Sequence, residues 1–233
     1  MSTIAIMQPY IFPYIGYFQL INAVDKFVLF DDVNFIKRGW INRNNLLVNG
    51  KIHLFTIPLK EASQNKLINE IELSSEIKWK NNFLKTVEQN YKNAPQFEVI
   101  YNMIREIINC EEVKLNLYLL NSINKIANYL SLKTNIVASS SIYNNKHIKG
   151  AERIVDVCGQ EKATTYINPI GGMDIYSKDF FVERNIKLQF LKSKSVTYHQ
   201  FKNDFIPWLS IIDVMMFNDK KEISNLLIQY ELI

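Results

Sequence analysis

Short apolar runs alternate with helically spaced segments along this chain, and that rhythm limits the folds open to it. Ile4-Ala5-Ile6-Met7 is continuously apolar and is stopped by Gln8-Pro9, as expected of a strand covered on both faces. From Gly16 to Val24, residues Tyr17, Leu20, Ile21 and Val24 fall at helical spacing, and Lys26-Phe27-Val28-Leu29-Phe30 is strand-like again, ending at Asp31-Asp32. The rhythm returns later, with strands at Ile136-Val137-Ala138, Thr164 to Ile167 and Ile186 to Leu191. Helices at Ala151 to Cys158 and from near Asp174 or Ser177 separate them. This pattern predicts a Rossmann-like, doubly wound α/β fold around a mostly parallel sheet. A helical segment, about 75–131, is inserted, and antiparallel strands are expected at Ile52 to Pro58 and Ile68 to Leu73. Trp208 to Phe217 and Glu222 to Tyr230 read as C-terminal helices.

Composition narrows the class. With 233 residues, 48% hydrophobic against 21% charged, the chain can close a core as a single domain over 1–233. No apolar run reaches the length of a membrane span, and the first residues lack the basic and apolar regions of a signal peptide, so the expectation is a cytoplasmic protein. The net charge of +4 is spread thinly along the chain and gives no nucleic-acid footprint. Cys110 and Cys158 stand in helix-like segments without ligand spacing, so they read as buried thiols, and no metal site is expected. GxSxG, Walker and complete GxGxxG motifs are absent, which removes the usual support for serine hydrolases, P-loop enzymes and dinucleotide oxidoreductases.

In an open parallel sheet, ligands bind outside the carboxyl ends of the strands, so the residues that follow each strand are the candidates. After the first strand come Gln8, Tyr10, Tyr14, Gly16 and Tyr17, where Gly16 would let a ligand approach a helix N-terminus. After the second come Asp31 and Asp32, which alternation sends to opposite sides, and then Lys37, Arg38, Asn42 and Arg43. The two arginines suit a phosphate or carboxylate through forked hydrogen bonds. Asn168, Gly171 and Gly172 leave a later strand and could present backbone amides to an anion or a sugar. His199, between Tyr198 and Gln200 in a polar stretch, is a candidate for acid–base work.

These residues resemble the WbqC-like proteins. The likeness runs through Gln8-Pro9-Tyr10, Pro13-Tyr14-Ile15-Gly16-Tyr17-Phe18, Phe30-Asp31-Asp32-Val33 and Lys37-Arg38-Gly39-Trp40-Ile41-Asn42-Arg43-Asn44. It continues at Ser63-Gln64-Asn65-Lys66, Gly171-Gly172 and Tyr198-His199-Gln200, and so spans the chain. The resemblance implies a role in O-antigen, lipopolysaccharide or other surface-polysaccharide biosynthesis. The implied activity is N-acyl or aminoacyl (for example glycyl) transfer to the amine of a dTDP- or UDP-linked deoxyamino sugar. On that reading Lys37, Arg38 and Arg43 hold the diphosphate, Gln8, Asn42 and Gln64 read hydroxyls, and Asp32 or His199 accepts the amine proton. The donor is open: a coenzyme A thioester, or ATP with magnesium in an adenylate-forming ligase. A non-catalytic sugar-nucleotide binder or assembly factor is the alternative of a different class. A homodimer packed through Trp208 and the C-terminal helices is a further possibility.

A more distant similarity is to the nucleotidylyl-transferring Rossmann-like folds, whose HxGH element sets a glycine against adenine and histidines on phosphate. Here Tyr14-Ile15-Gly16-Tyr17 stands in that place, and neutral phenols cannot supply the imidazolium charge.

Overall fold

The structure is a computed structural model describing residues 2–202 and 204–233. The chain opens with β1 (Thr3–Met7), α1 (Ile15–Asn22) and β2 (Lys26–Leu29). Two small antiparallel pairs follow: β3 (Arg43–Val48) with β4 (Lys51–Thr56), and β5 (Leu59–Lys60) with β6 (Glu72–Leu73). Three helices come next, α2 (Lys78–Tyr91), α3 (Phe97–Ile108) and α4 (Leu115–Tyr129). The chain then returns to the main sheet through β7 (Asn135–Val137), α5 (Gly150–Gln160), β8 (Thr165–Pro169), α6 (Lys178–Val182) and β9 (Lys187–Ser193). It finishes with α7 (Ile211–Phe217), α8 (Lys220–Leu227) and β10 (Tyr230–Leu232).

The main sheet has the order β10-β9-β8-β1-β2-β7, parallel throughout except for β10. From β1 the chain steps outward to β2 and β7, then crosses back to β8 on the other flank. The fold is therefore Rossmann-like α/β, with its topological switch between β1 and β8. Strand alternation divides the core into two layers. Ile4, Ile6, Val28, Tyr166, Leu188 and Phe190 face α5 and α6, while Ala5, Phe27, Leu29, Ile167 and Leu191 face α1, α8 and the inserted helices. Phe27 is fully buried and its ring meets Tyr17 edge-on at 5.2 Å; truncating it to alanine would cost roughly 3–5 kcal/mol.

Three elements differ from the sequence reading. The strand expected at Ile52 to Pro58 exists, but its partner is β3, built from Arg43 to Val48, part of which reads as a polar binding stretch. Asn49 and Gly50, both at positive φ (50° and 70°), close this hairpin as a two-residue Asn-Gly turn does. The last predicted helix stops at Leu227, because Tyr230–Leu232 pairs antiparallel with β9 and seals the sheet edge. The stretch Ile68 to Leu73 is a short 3-10 turn (Ile68–Glu70) followed by β6. No helix among the described residues is long and apolar enough to cross a membrane.

Candidate functional site

At the carboxyl edge of the sheet, the segments after β1, β2, β7 and β8 meet around two cavities. The larger is an open cleft of about 690 Å³ whose wall includes Phe30, Asp32 and Asn34 after β2, Lys146, His147 and Lys149 before α5, Arg153 within α5, and Tyr176 after β8. Its centre is an ion pair. Arg153 Nη2 donates to Asp32 Oδ2 at 2.5 Å, and both side chains are almost wholly buried. Arg153 Nε donates to Asn145 Oδ1 at 2.9 Å, Asn145 in turn donates to Asp156, and the guanidinium lies 4.8 Å over the Phe30 ring. Nη1 has no hydrogen-bond partner among the described residues, so the buried cation keeps one donor edge open. The other Asp32 oxygen accepts a short hydrogen bond from Ser140 Oγ.

Helix α5 starts beside this pair. Gly150, at φ 58°, lets the chain turn into the helix, and Lys149 at its N-cap makes no side-chain cap bond. The first-turn amides, with Lys146 and Lys149 exposed beside them, make a positive rim. Glu152, the acidic residue of that turn, is engaged elsewhere by Arg184 at 2.9 Å. Against the alternation expected of a strand, Asp31 converges with Asp32 on Ser140, whose Oγ lies 3.4 Å from Asp31 Oδ1, because both residues stand beyond the end of β2. Asp31 is fully buried and accepts from Asn116 Nδ2 (2.7 Å), Ser139 Oγ (2.7 Å) and the Ser140 amide (3.2 Å), tying α4 and the segment after β7 to the sheet edge.

The second cavity, about 210 Å³, is a slot walled by Tyr10, Pro13, Tyr14, Trp40, Asn44 and Trp208. Its aromatic residues come from three segments: the one after β1, the one between β2 and β3, and the one before α7. The β3 hairpin is held there because Asn44 Nδ2 donates to the carbonyls of Ile11 and Phe12 (3.3 and 2.9 Å) and the Ile11 amide donates to the Ile41 carbonyl. Burial, helped by the neighbouring Tyr14, pushes the Tyr10 phenol up to about 12, so it is neutral at pH 7.

The residues singled out in the sequence separate into distinct settings. Asp32 lines the cleft, but both its oxygens already accept hydrogen bonds. Lys37, Arg38 and Arg43 line neither cavity: Arg38 occupies an exposed turn at φ 61°, and Arg43 donates through Nε to the Gly39 carbonyl (2.8 Å) while lying 5.7 Å from the Trp40 ring. The open cationic edge in the cleft belongs to Arg153 instead. Asn42 closes the hairpin by donating to the Ile57 carbonyl, and Gln64 is exposed, its carbonyl accepting from Asn34. Tyr10 and Tyr14 line the slot, whereas Tyr17 is buried and donates to the Gln8 carbonyl at 3.0 Å, linking α1 to the end of β1. Gln8 itself is half-buried beside them.

Both glycines expected to admit a ligand make room for the protein's own side chains. A Cβ on Gly16 would lie 2.2 Å from the Tyr14 ring, and one on Gly172 would lie 2.1 Å from Asn168 Oδ1. Asn168 is held there by its bond to the Tyr166 hydroxyl, while Gly171 is exposed with open space around it. Tyr198 and Gln200 turn inward to the buried Asp213, donating at 2.7 and 2.6 Å, and Tyr91 donates to its other oxygen at 2.9 Å. Burial raises the Asp213 carboxyl above its ordinary range against the opposing pull of those three bonds. His199 is exposed between them and lines neither cavity.

Sequence reasoning missed Arg153, Lys146, His147, Lys149, Trp40 and Trp208 as site residues. The Asn144–Gly150 stretch, basic and leading into a helix, carried a readable signal; Arg153 did not, because its partner lies 121 residues away.

The fold and the cleft define a Rossmann-like α/β protein with its candidate site at the strand carboxyl ends. Within that class the chain belongs to the WbqC-like protein family, whose model matches residues 8–225. Over 222 residues, 94% of each chain, it is 31% identical to Rv1507c, an uncharacterized protein of Mycobacterium tuberculosis. No solved structure matches the chain significantly.

Proposed function

We propose that this protein is a transferase that forms an amide on the amino group of a nucleotide-linked deoxyamino sugar, with the sugar nucleotide's diphosphate seated in the α5 cleft. One observation carries the reading: the buried Arg153 guanidinium, with Nη1 unpaired among the described residues, lies at the uncapped first turn of α5 in a cleft whose wall also holds Lys146 and Lys149. A dianion there replaces lost hydration with charge-assisted bonds, each worth about 1.5–3 kcal/mol. Family membership supports the biosynthetic setting.

The sugar amine must lose a proton before it attacks an activated acyl or aminoacyl carbon. The carbonyl carbon then gains the new C–N bond, and the donor's leaving group departs with the electron pair. Asp32, with both oxygens engaged, serves as the clamp on Arg153, and His147 in the cleft wall is the base within reach. The engagement of Asp32 also favours a second reading, a sugar-nucleotide binder without turnover.

Thermal shift with dTDP- and UDP-linked amino sugars, each with an acyl-coenzyme A or with ATP and magnesium, tests the proposal. A ligand at about 100 times its dissociation constant stabilises by about 2.7 kcal/mol, which raises Tm by roughly 5–10 °C for a chain of this size. Replacing Lys146 and Lys149 by alanine should remove most of that shift. Mass spectrometry of the sugar then separates transfer from binding, and pyrophosphate release marks the ATP-dependent route. A sugar nucleotide that leaves Tm unchanged sinks the proposal.

A further inference from the structure

The aromatic slot lies outside the anion cleft and is unused by the chemistry just described. Trp40 and Trp208 are 46% and 62% exposed, unusual for the largest side chain when an apolar core is available. Trp208 also holds φ at 62°, a left-handed conformation that is costly for a bulky residue and persists only where its surroundings impose it. Tyr14 stands 5.8 Å from Trp208, its place secured by the bare Cα of Gly16. Arg43 lies over Trp40 and is itself fixed to the Gly39 carbonyl. The walls are thus held in place by the protein's own contacts.

The polar content of the slot selects among ring-shaped ligands. Asn44, the only amide in its wall, is consumed: its Nδ2 serves two carbonyls and its Oδ1 accepts from the Asn45 amide. The Tyr10 and Tyr14 hydroxyls have no hydrogen-bond partner among the described residues. A pyranose would bring three or more hydroxyls into this space and leave most of them unpaired. A nucleobase buries two π faces against aromatic rings and needs hydrogen bonds only along one edge.

We propose that the slot formed by Tyr10, Tyr14, Trp40 and Trp208 is a nucleobase-binding site, with the two phenols reading the base edge. The inference rests on the nucleotide-sugar reading for the rest of the ligand, but the base contact can be tested without phosphate or sugar chemistry.

Two of the chain's three tryptophans are in the slot, and the third, Trp79, packs edge-on against Tyr118 in the inserted helices. Intrinsic fluorescence therefore reports occupancy. Uridine, thymidine and adenosine are titrated against the full chain, with N-acetylglucosamine 1-phosphate as a ligand lacking a base. At least one nucleoside should quench saturably, and Trp208→Ala should weaken it by about 5- to 150-fold, the range of base–aromatic stacking, while Trp208→Phe recovers most of the affinity. Because Trp208 is mostly exposed, the alanine variant should keep the wild-type melting temperature, and Trp40→Ala gives an independent second test. Quenching by nucleosides should survive Lys146→Ala/Lys149→Ala, which would separate this site from the anion cleft. No quench by any nucleoside, or an equal response to the base-free sugar phosphate, overturns the inference even if the anion effects in the cleft hold.

Discussion

Gly16→Ala tests whether the glycine exists to accommodate Tyr14. The added methyl would sit 2.2 Å from Cζ and Oη of the Tyr14 ring, far inside contact distance. The ring must strain or swing out, abandoning its tilted contact with Trp208 at 5.8 Å, so the substitution should cost about 1–3 kcal/mol. With Tyr14→Ala in the background there is nothing to clash with. Gly16 lies within α1 at negative φ, so alanine there should gain about 0.5–1 kcal/mol from helix propensity. The sign of the effect reverses between backgrounds, and the coupling energy comes to roughly 1.5–4 kcal/mol. Urea unfolding of the wild type, both single variants and the double variant gives that energy directly, provided the slope with denaturant is constant across the four. If Gly16→Ala costs the same with and without the Tyr14 ring, the steric account is wrong and the glycine serves some other purpose.

Two further outcomes follow from buried charge. Arg153→Met strands the Asp32 carboxylate in its buried position and should destabilise the fold by about 3–5 kcal/mol, with partial recovery in the Asp32→Asn/Arg153→Met pair; a loss below about 1 kcal/mol in thermal unfolding would show that solvent already screens the pair. Asp213 has its folded-state pKa raised by burial, so its contribution to stability is complete below its unfolded value near 3.9 and is lost as pH rises through the folded value. The stability difference between wild type and Asp213→Asn should therefore shift toward the wild type as pH falls from 7 to 4, and a difference independent of pH would contradict the assignment.

The sheet was legible because its strands are short apolar runs whose burial on both faces leaves a continuous signal, as at Ile4 to Met7 and Lys26 to Leu29. Strand β3 was harder, since Arg43-Asn44-Asn45 carries no apolar face of its own. Its strand character comes from the pairing with β4 and from the bonds of Asn44 to the segment after β1, although Asn49-Gly50 announces the hairpin. The two cavities lie at the carboxyl ends of the strands, but the strand ends do not say which side chains stand free there. Tyr17, Tyr198 and Gln200 have polar groups that suit a ligand equally well, and only the tertiary structure shows them spent on the Gln8 carbonyl and on Asp213. Gly16 and Gly172 mislead in the same way, because a sequence cannot say whether the space beside a glycine belongs to a guest or to a neighbour.

Strand β1 is the earliest of the main sheet and also one of its innermost. One flank is satisfied soon, where Ile4 aligns with Lys26, but the other waits for Tyr166. During synthesis at about 5–20 residues per second, its free edge and apolar faces stay uncovered for roughly 10–30 seconds. The inserted helices, translated in that interval, offer provisional cover to one face only, so a nascent-chain chaperone should engage this polypeptide chiefly before β8 emerges from the ribosome.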